Sequence, residues 1–256
     1  MKKLMLTAAA LVAGVALAES GITSANIVGY TSTDYTTKKY VPFGCCFINT
    51  GSADATFKLS DIVLEGGNAS VDMIQVLEPT CAAVSAMYRY VSAEQAVAWG
   101  DASFQGWYDE GLMTRKDDVE FPLGTGFLAS FGSKTVTPRY AGQVIDGSYL
   151  FDCVGSKYVM FANPIPREIT LGDIVLQGGN ASVDMIQVLE DTKAGVTSMY
   201  RYVSEEQAVA WGDASYKGWY DEGLSIRKDD VKVAVGEAFL ASFGSKNVKV
   251  VFPSAY

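Results

Sequence analysis

No histidine occurs anywhere in this chain of 256 residues. That absence excludes imidazole general-base catalysis, Ser-His and Cys-His nucleophile pairs, and the usual histidine-based zinc and copper sites. Long hydrophobic runs are also missing. Beyond Val15 nothing approaches the roughly 18 consecutive apolar residues that a membrane-crossing helix needs. Basic side chains are outnumbered, with 20 Lys and Arg against 29 Asp and Glu and a formal charge of −9. Such a surface repels phosphate backbones and anionic headgroups, so neither nucleic acid nor an acidic membrane is expected as a partner. There is no Gly-x-Ser-x-Gly elbow, no phosphate-binding glycine loop and no Asp-x-Asp-x-Asp-Gly calcium loop. No catalytic residue and no cofactor is therefore expected.

Cysteine is sparse as well, at Cys45, Cys46, Cys81 and Cys153. The spacings match neither a zinc site nor a redox Cys-x-x-Cys. Cys45 and Cys46, being adjacent, would point to opposite faces of a strand and would need different partners. Disulfides from these four and buried free thiols both fit the pattern. Cys81 gives way to Lys193 in a second copy of its segment, so the fold does not require it.

What the chain does contain begins with an export signal. Lys2 and Lys3 precede an apolar stretch from Leu4 to Val15, which the small-x-small triplet Ala16-Leu17-Ala18 closes. Residues 1–18 read as a secretory signal peptide rather than a membrane anchor, leaving Glu19 as the first mature residue. The mature protein is expected outside the cytoplasm, secreted, periplasmic or at the cell surface. Without the two leader lysines its net charge is −11, from 18 basic and 29 acidic side chains.

The dominant feature is a duplication. Asp61 to Lys134 recurs without a gap as Asp173 to Lys246, with about 57 of 74 positions identical. The period far exceeds that of a solenoid repeat, so each copy is a large structural unit. We assign repeat 1 to residues 25–144 and repeat 2 to residues 145–256. Copied units are common among binding and scaffold proteins, whereas a reaction centre is usually single.

Within a copy, short apolar segments alternate with glycine-centred turns. Val71 to Leu77 is apolar on both faces and predicts a covered strand. Met87 to Val91 sets Tyr88 and Tyr90 opposite Met87 and Val91. Leu59 to Ile62 predicts one helical turn or a tight bend, and Gly66-Gly67-Asn68 a chain reversal. Phe127, Ala129 and Phe131 share one face, as do Val248, Val250 and Phe252. From Ser92 to Ala102 two patterns compete. Ser92 with Gln95 forms a capping box for a short helix, while Ala96 to Trp99 suits the return strand of a hairpin, and the hairpin is the expectation adopted. The whole predicts an all-β fold with short helical turns, built as two tandem homologous sandwich-like or barrel-like repeats in a pseudo-twofold relation.

Two groups of side chains qualify as sites. Trp99, Trp107 and Tyr108, copied as Trp211, Trp219 and Tyr220, form either a sugar-stacking platform or the aromatic part of the core. Asp109, Glu110, Asp117 and Asp118, copied as Asp221, Glu222, Asp229 and Asp230, are the densest carboxylates. They suit either a hard cation such as calcium, or a solvated loop balanced by Arg115, Lys116, Arg227 and Lys228. A carboxylate-only hydrolase would use the same groups.

Several short motifs together resemble a functionally uncharacterised family of exported bacterial β-rich repeat units. They are Ala25-Asn26-Ile27-Val28-Gly29-Tyr30 after the leader, Phe161-Ala162-Asn163-Pro164, Thr170-Leu171-Gly172-Asp173-Ile174, and Gly106-Trp107-Tyr108 with its copy Gly218-Trp219-Tyr220. The family's closing Pro-Gly-Glu-Gly-Phe pattern is partly kept in Val235-Gly236-Glu237-Ala238-Phe239 and Leu123-Gly124-Thr125-Gly126-Phe127, without the proline. The resemblance implies a secreted β-rich domain and transfers no functional residue. The functional expectation is a non-enzymatic structural or adhesive component of the envelope or matrix that associates with itself. A carbohydrate-binding module that recognises surface glycans is the alternative.

Overall fold

The computed structural model describes residues 28–36, 40–48, 55–78, 83–133, 135–153, 155, 157–189, 195–245 and 247–255. The leader at 1–18, the start of the Ala25–Tyr30 motif, Cys81 and Lys193 lie outside the described residues. The chain is mostly β, with two short α-helices and four 3-10 turns among the described residues.

In the first half, five antiparallel strands form the larger sheet. Their spatial order is Tyr40–Gly44, Gly126–Ser130, Met73–Leu77, Val84–Val91 and Gly106–Asp109. The second half repeats it with Tyr158–Ala162, Ala238–Ser242, Met185–Leu189, Val196–Val203 and Gly218–Asp221. Both copies carry the same bulge, at Val76/Leu77 and Val188/Leu189. Facing each large sheet is a smaller one. The first centres on Thr135–Gln143, paired with Val28–Ser32, Tyr35–Thr36 and Ile62–Glu65. The second centres on Lys249–Phe252, paired with Tyr149–Asp152 and Val175–Gln177.

The alternation read from the sequence sets which faces meet. Phe127, Ala129 and Phe131 are buried, as are Val248, Val250 and Phe252. Each buried aromatic or large aliphatic side chain contributes about 1.5–3 kcal/mol. Phe43 of the large sheet meets Tyr140 of the small one with ring centroids 6.2 Å apart, so the sheets share one interior. Tyr88 and Tyr90 turn toward that interior, whereas Val91 joins a satellite cluster with Ala69 and Ala96 on the opposite face.

The halves meet through strands they have in common. Gly44 N–H donates to Gly236 O at 2.9 Å, and Ala162 N–H donates to Gly124 O at 2.8 Å. Residue 162 occupies in the second half the place of 44 in the first, and 236 that of 124, so a pseudo-twofold relation exchanges the two bonds. Gly44 permits the approach. A Cβ there would overlap Ala162 Cβ and lie 2.6 Å from Thr125 O.

The turns formed as read. Leu59–Asp61 and Leu171–Asp173 are 3-10 turns, closed by Asp61 and Asp173 accepting from the backbone N–H of Lys58 and Thr170. Gly66 takes φ +71. Behind it, the carboxylate of Asp72, 1% exposed, accepts from Asn68 N, Gly132 N, Ser133 N and Ser133 Oγ, tying two turns together.

Two expectations are corrected. Val71 lies in an exposed turn, and the strand begins at Met73. The hairpin expected over Ser92 to Ala102 is instead helix α1, Ala93–Ala98, copied as α2, Glu205–Ala210. Ser92 Oγ accepts from Gln95 N, and the Gln95 side chain then bonds to Ala69 N and Asn68 Oδ1. Those capping and turn contacts decide the local conformation, while the strand position beside Val84–Val91 is already taken by Gly106–Asp109.

Candidate functional site

The aromatic residues divide. Trp107 and Trp219 are fully buried. Their indole N–H groups donate to Ile62 O and Ile174 O, each at 2.8 Å, and their rings lie 5.3 Å from those of Tyr90 and Tyr202. They are core residues, so of the two alternatives the sequence left open for Trp107 and Trp219 the sugar platform is not realised. Trp99 and Trp211 behave differently, each being 46% exposed at the C-cap of its helix.

Around Trp99 the loops build a groove of about 320 Å³, with Val91, Tyr108 and Leu112 beneath and Trp99, Phe104 and Met113 at the rim. Sequence reasoning missed Phe104 and Met113. The available signal was an aromatic kept in both copies, Phe104 and Tyr216, inside an otherwise small and polar loop. In the second half Trp211, Tyr216 and Ile226 are the exposed apolar residues of the matching loops.

The surrounding charges hold these loops in place. Asp101 Oδ1 accepts from Ser103 N at 2.8 Å. Arg115 pairs with Asp117 and donates to Ser103 O at 2.8 Å and Gln105 O at 2.6 Å, with its guanidinium 6.0 Å from the Tyr108 ring centroid. Arg89 ties Glu110 O to Ala69 O. Arg227 and Arg201 repeat both clamps in the second half. The exposed aromatics are therefore mounted on loops whose backbone groups are satisfied, so they are preorganised for contact.

The acidic candidates do not come together as a cation site. Asp109 Oδ1 accepts from Met113 N and Thr114 N, which holds its carboxyl below the usual range, and Asp221 is lowered likewise by Ile226 N and Ser225 N. Asp117 and Asp229 accept from Trp107 N and Trp219 N. Asp118 projects into solvent near Lys58, and Glu110, Glu222 and Asp230 are exposed. Among the described residues no three His, Cys, Asp or Glu side chains converge. Asp109, Asp117, Asp221 and Asp229 are committed to hairpin backbone or ion pairs, while Glu110, Asp118, Glu222 and Asp230 stand in solvent.

Cys45, Cys46 and Cys153 are buried free thiols, so the disulfide alternative is not realised at these three. Burial raises all three; Cys46 and Cys153 are each pushed up to about 12, and Cys45 Sγ also donates to Phe47 O. At pH 8 they are neutral and inaccessible, and alkylation needs the thiolate. Peptide mass spectrometry after iodoacetamide treatment should find them unlabelled in native protein and labelled in denaturant. Labelling at any of them without unfolding would contradict the burial.

No family model matches the chain, and no curated protein or solved structure matches it. Among the described residues no helix is long and apolar enough to cross a membrane. What the coordinates define is a duplicated, mostly β scaffold that presents an exposed aromatic cluster once in each half.

Proposed function

We propose that this protein is an exported, non-enzymatic structural or adhesive component of the cell envelope or extracellular matrix, which holds its partners through the two aromatic clusters around Trp99 and Trp211. The observation that carries this reading is the presentation of the same exposed tryptophan twice on one body. Clustered exposed aromatics on rigid loops are the anchors that dominate protein contact energies, and two linked weak contacts raise avidity without further affinity at either. The leader-like start at Lys2 to Ala18 supports export. The missing imidazole and the carboxylates committed to backbone support a non-enzymatic role.

The partner most in keeping with a repeated surface is a second copy of the chain. Sedimentation velocity over a concentration series should show self-association that Trp99→Ala with Trp211→Ala weakens by about tenfold or more at unchanged thermal midpoint. Association indifferent to both tryptophans would sink the reading. The position of Trp99 beside Asp101 and Tyr108 also favours carbohydrate stacking as a second reading. In that case a glycan array would score binding lost in the same double variant, without self-association.

A further inference from the structure

We infer that a polar groove in the first half, separate from the aromatic cluster, binds neutral oligosaccharides, and that an ion pair closes its counterpart in the second half. Two cavities of about 700 and about 370 Å³ share Gly66, Ser92 and Glu94, making one trough beside the start of α1. Each cavity by itself falls within the range of small-molecule clefts.

The lining selects the ligand. Glu65 and Glu94 offer carboxylates, Tyr90 and Ser92 hydroxyls and Gln105 an amide, while among the described residues no Lys or Arg lines either cavity. Glu94 makes no hydrogen bond or ion pair among the described residues, whereas Glu65 is held by Arg139. Gln105 Nε2 donates to the Tyr90 hydroxyl at 3.0 Å, and Asn68 is pinned through Asp72 and Gln95, so the walls are set before a ligand arrives. Anionic ligands meet like charge here. The large apolar and aromatic side chains Leu64 and Tyr90 are only 1% and 5% exposed at this wall. A neutral polyol supplies O–H donors to the carboxylates, the stronger class of acceptor, and oxygens for the hydroxyl and amide donors.

The second copy makes the case specific. Four lining positions change there: Glu65 becomes Gln177, Ala93 becomes Glu205, Gln105 becomes Lys217 and Thr135 becomes Asn247. Lys217 Nζ lies 3.2 Å from Glu205 Oε2, an ion pair between the two positions that Ala93 and Gln105 hold in the first half. The first groove lacks this pair, and in the second the carboxylate missing at Gln177 is replaced by that of Glu205, which Lys217 engages.

Exchange of these residues between copies tests the inference on the full chain, because each variant installs side chains the same backbone already carries. Isothermal titration with cellotetraose, maltotetraose and chitotetraose, and with a chondroitin sulfate tetrasaccharide as anionic control, should find a neutral ligand bound one to one. Ala93→Glu with Gln105→Lys should weaken that binding by about tenfold or more. Gln177→Glu with Glu205→Ala and Lys217→Gln should create a second site. Neither Ala93 nor Gln105 lines the aromatic cluster, so Trp99→Ala with Trp211→Ala should leave this binding unchanged, whatever becomes of the proposed adhesion. Equal thermal midpoints confirm that the exchanges fold. No binding of any neutral probe, tighter binding of the anionic one, affinity and stoichiometry indifferent to the exchanges, or loss only with the tryptophans would each overturn the inference.

Discussion

Replacing Asp72 with alanine is expected to lower stability by about 3–5 kcal/mol, read as a shift of the urea unfolding midpoint. The carboxylate is 1% exposed and its four donors come from two separate turns. Removing it leaves Asn68 N, Gly132 N, Ser133 N and Ser133 Oγ facing a cavity, each losing an acceptor. Asp72→Asn should recover little. Oδ1 accepts from Gly132 and Ser133, and Oδ2 from Asn68 and the Ser133 hydroxyl, so whichever way the amide is turned its NH2 confronts donors. Asp184, which accepts from Asn180 N and Ser245 N in the second half, should respond in the same direction. A midpoint for Asp72→Ala within about 0.5 kcal/mol of the parent, the range of an ordinary surface change, would show that the buried carboxylate does not join the turns as described.

The duplicated tryptophans should separate sharply on the same measurement. Trp107→Ala removes a fully buried indole and is expected to cost about 3–5 kcal/mol, with the Ile62 carbonyl left unpaired in addition. Trp107→Phe keeps a ring but no N–H, and should cost at least the about 1–3 kcal/mol of an unsatisfied buried polar group. Trp99→Ala, at a half-exposed helix end, should stay within about 0.5 kcal/mol. The opposite ranking of Trp99 and Trp107 would mean that the core and the contact surface have been exchanged. The ranking also bears on function, because only the tryptophan that stability can spare is free to be spent on a partner.

Much of the fold was legible in local patterns. The period-2 alternation of Phe127, Ala129 and Phe131, the tight turn after Leu59 and the reversal at Gly66 each depend on neighbours a few residues away, and each formed as read. The segment Ser92 to Ala102 misled because Ala96-Val97-Ala98-Trp99 has strand-like composition. The deciding groups were Ser92 Oγ, close in sequence, and Asn68 and Ala69, some 26 or 27 residues earlier. The candidate sites were less legible. The carboxylates cluster in sequence, yet Asp109 and Asp117 turn to different backbone donors once the hairpin closes.

The amino-acid order alone established a mostly β chain made of one unit used twice, since copying and hydrophobic period are properties of the linear string. It also established that imidazole chemistry is absent, because composition needs no coordinates. Only the tertiary structure decided which tryptophan faces water. Trp107 sits opposite Tyr90 in the sheet, whereas Trp99 ends a helix of six residues that buries only Ala96. Nothing within a few residues of either ring separates those two fates, because burial here follows from strand pairing between distant segments. The same holds for the groove beside α1, whose opening or closure depends on residues 93 and 105 meeting across a loop.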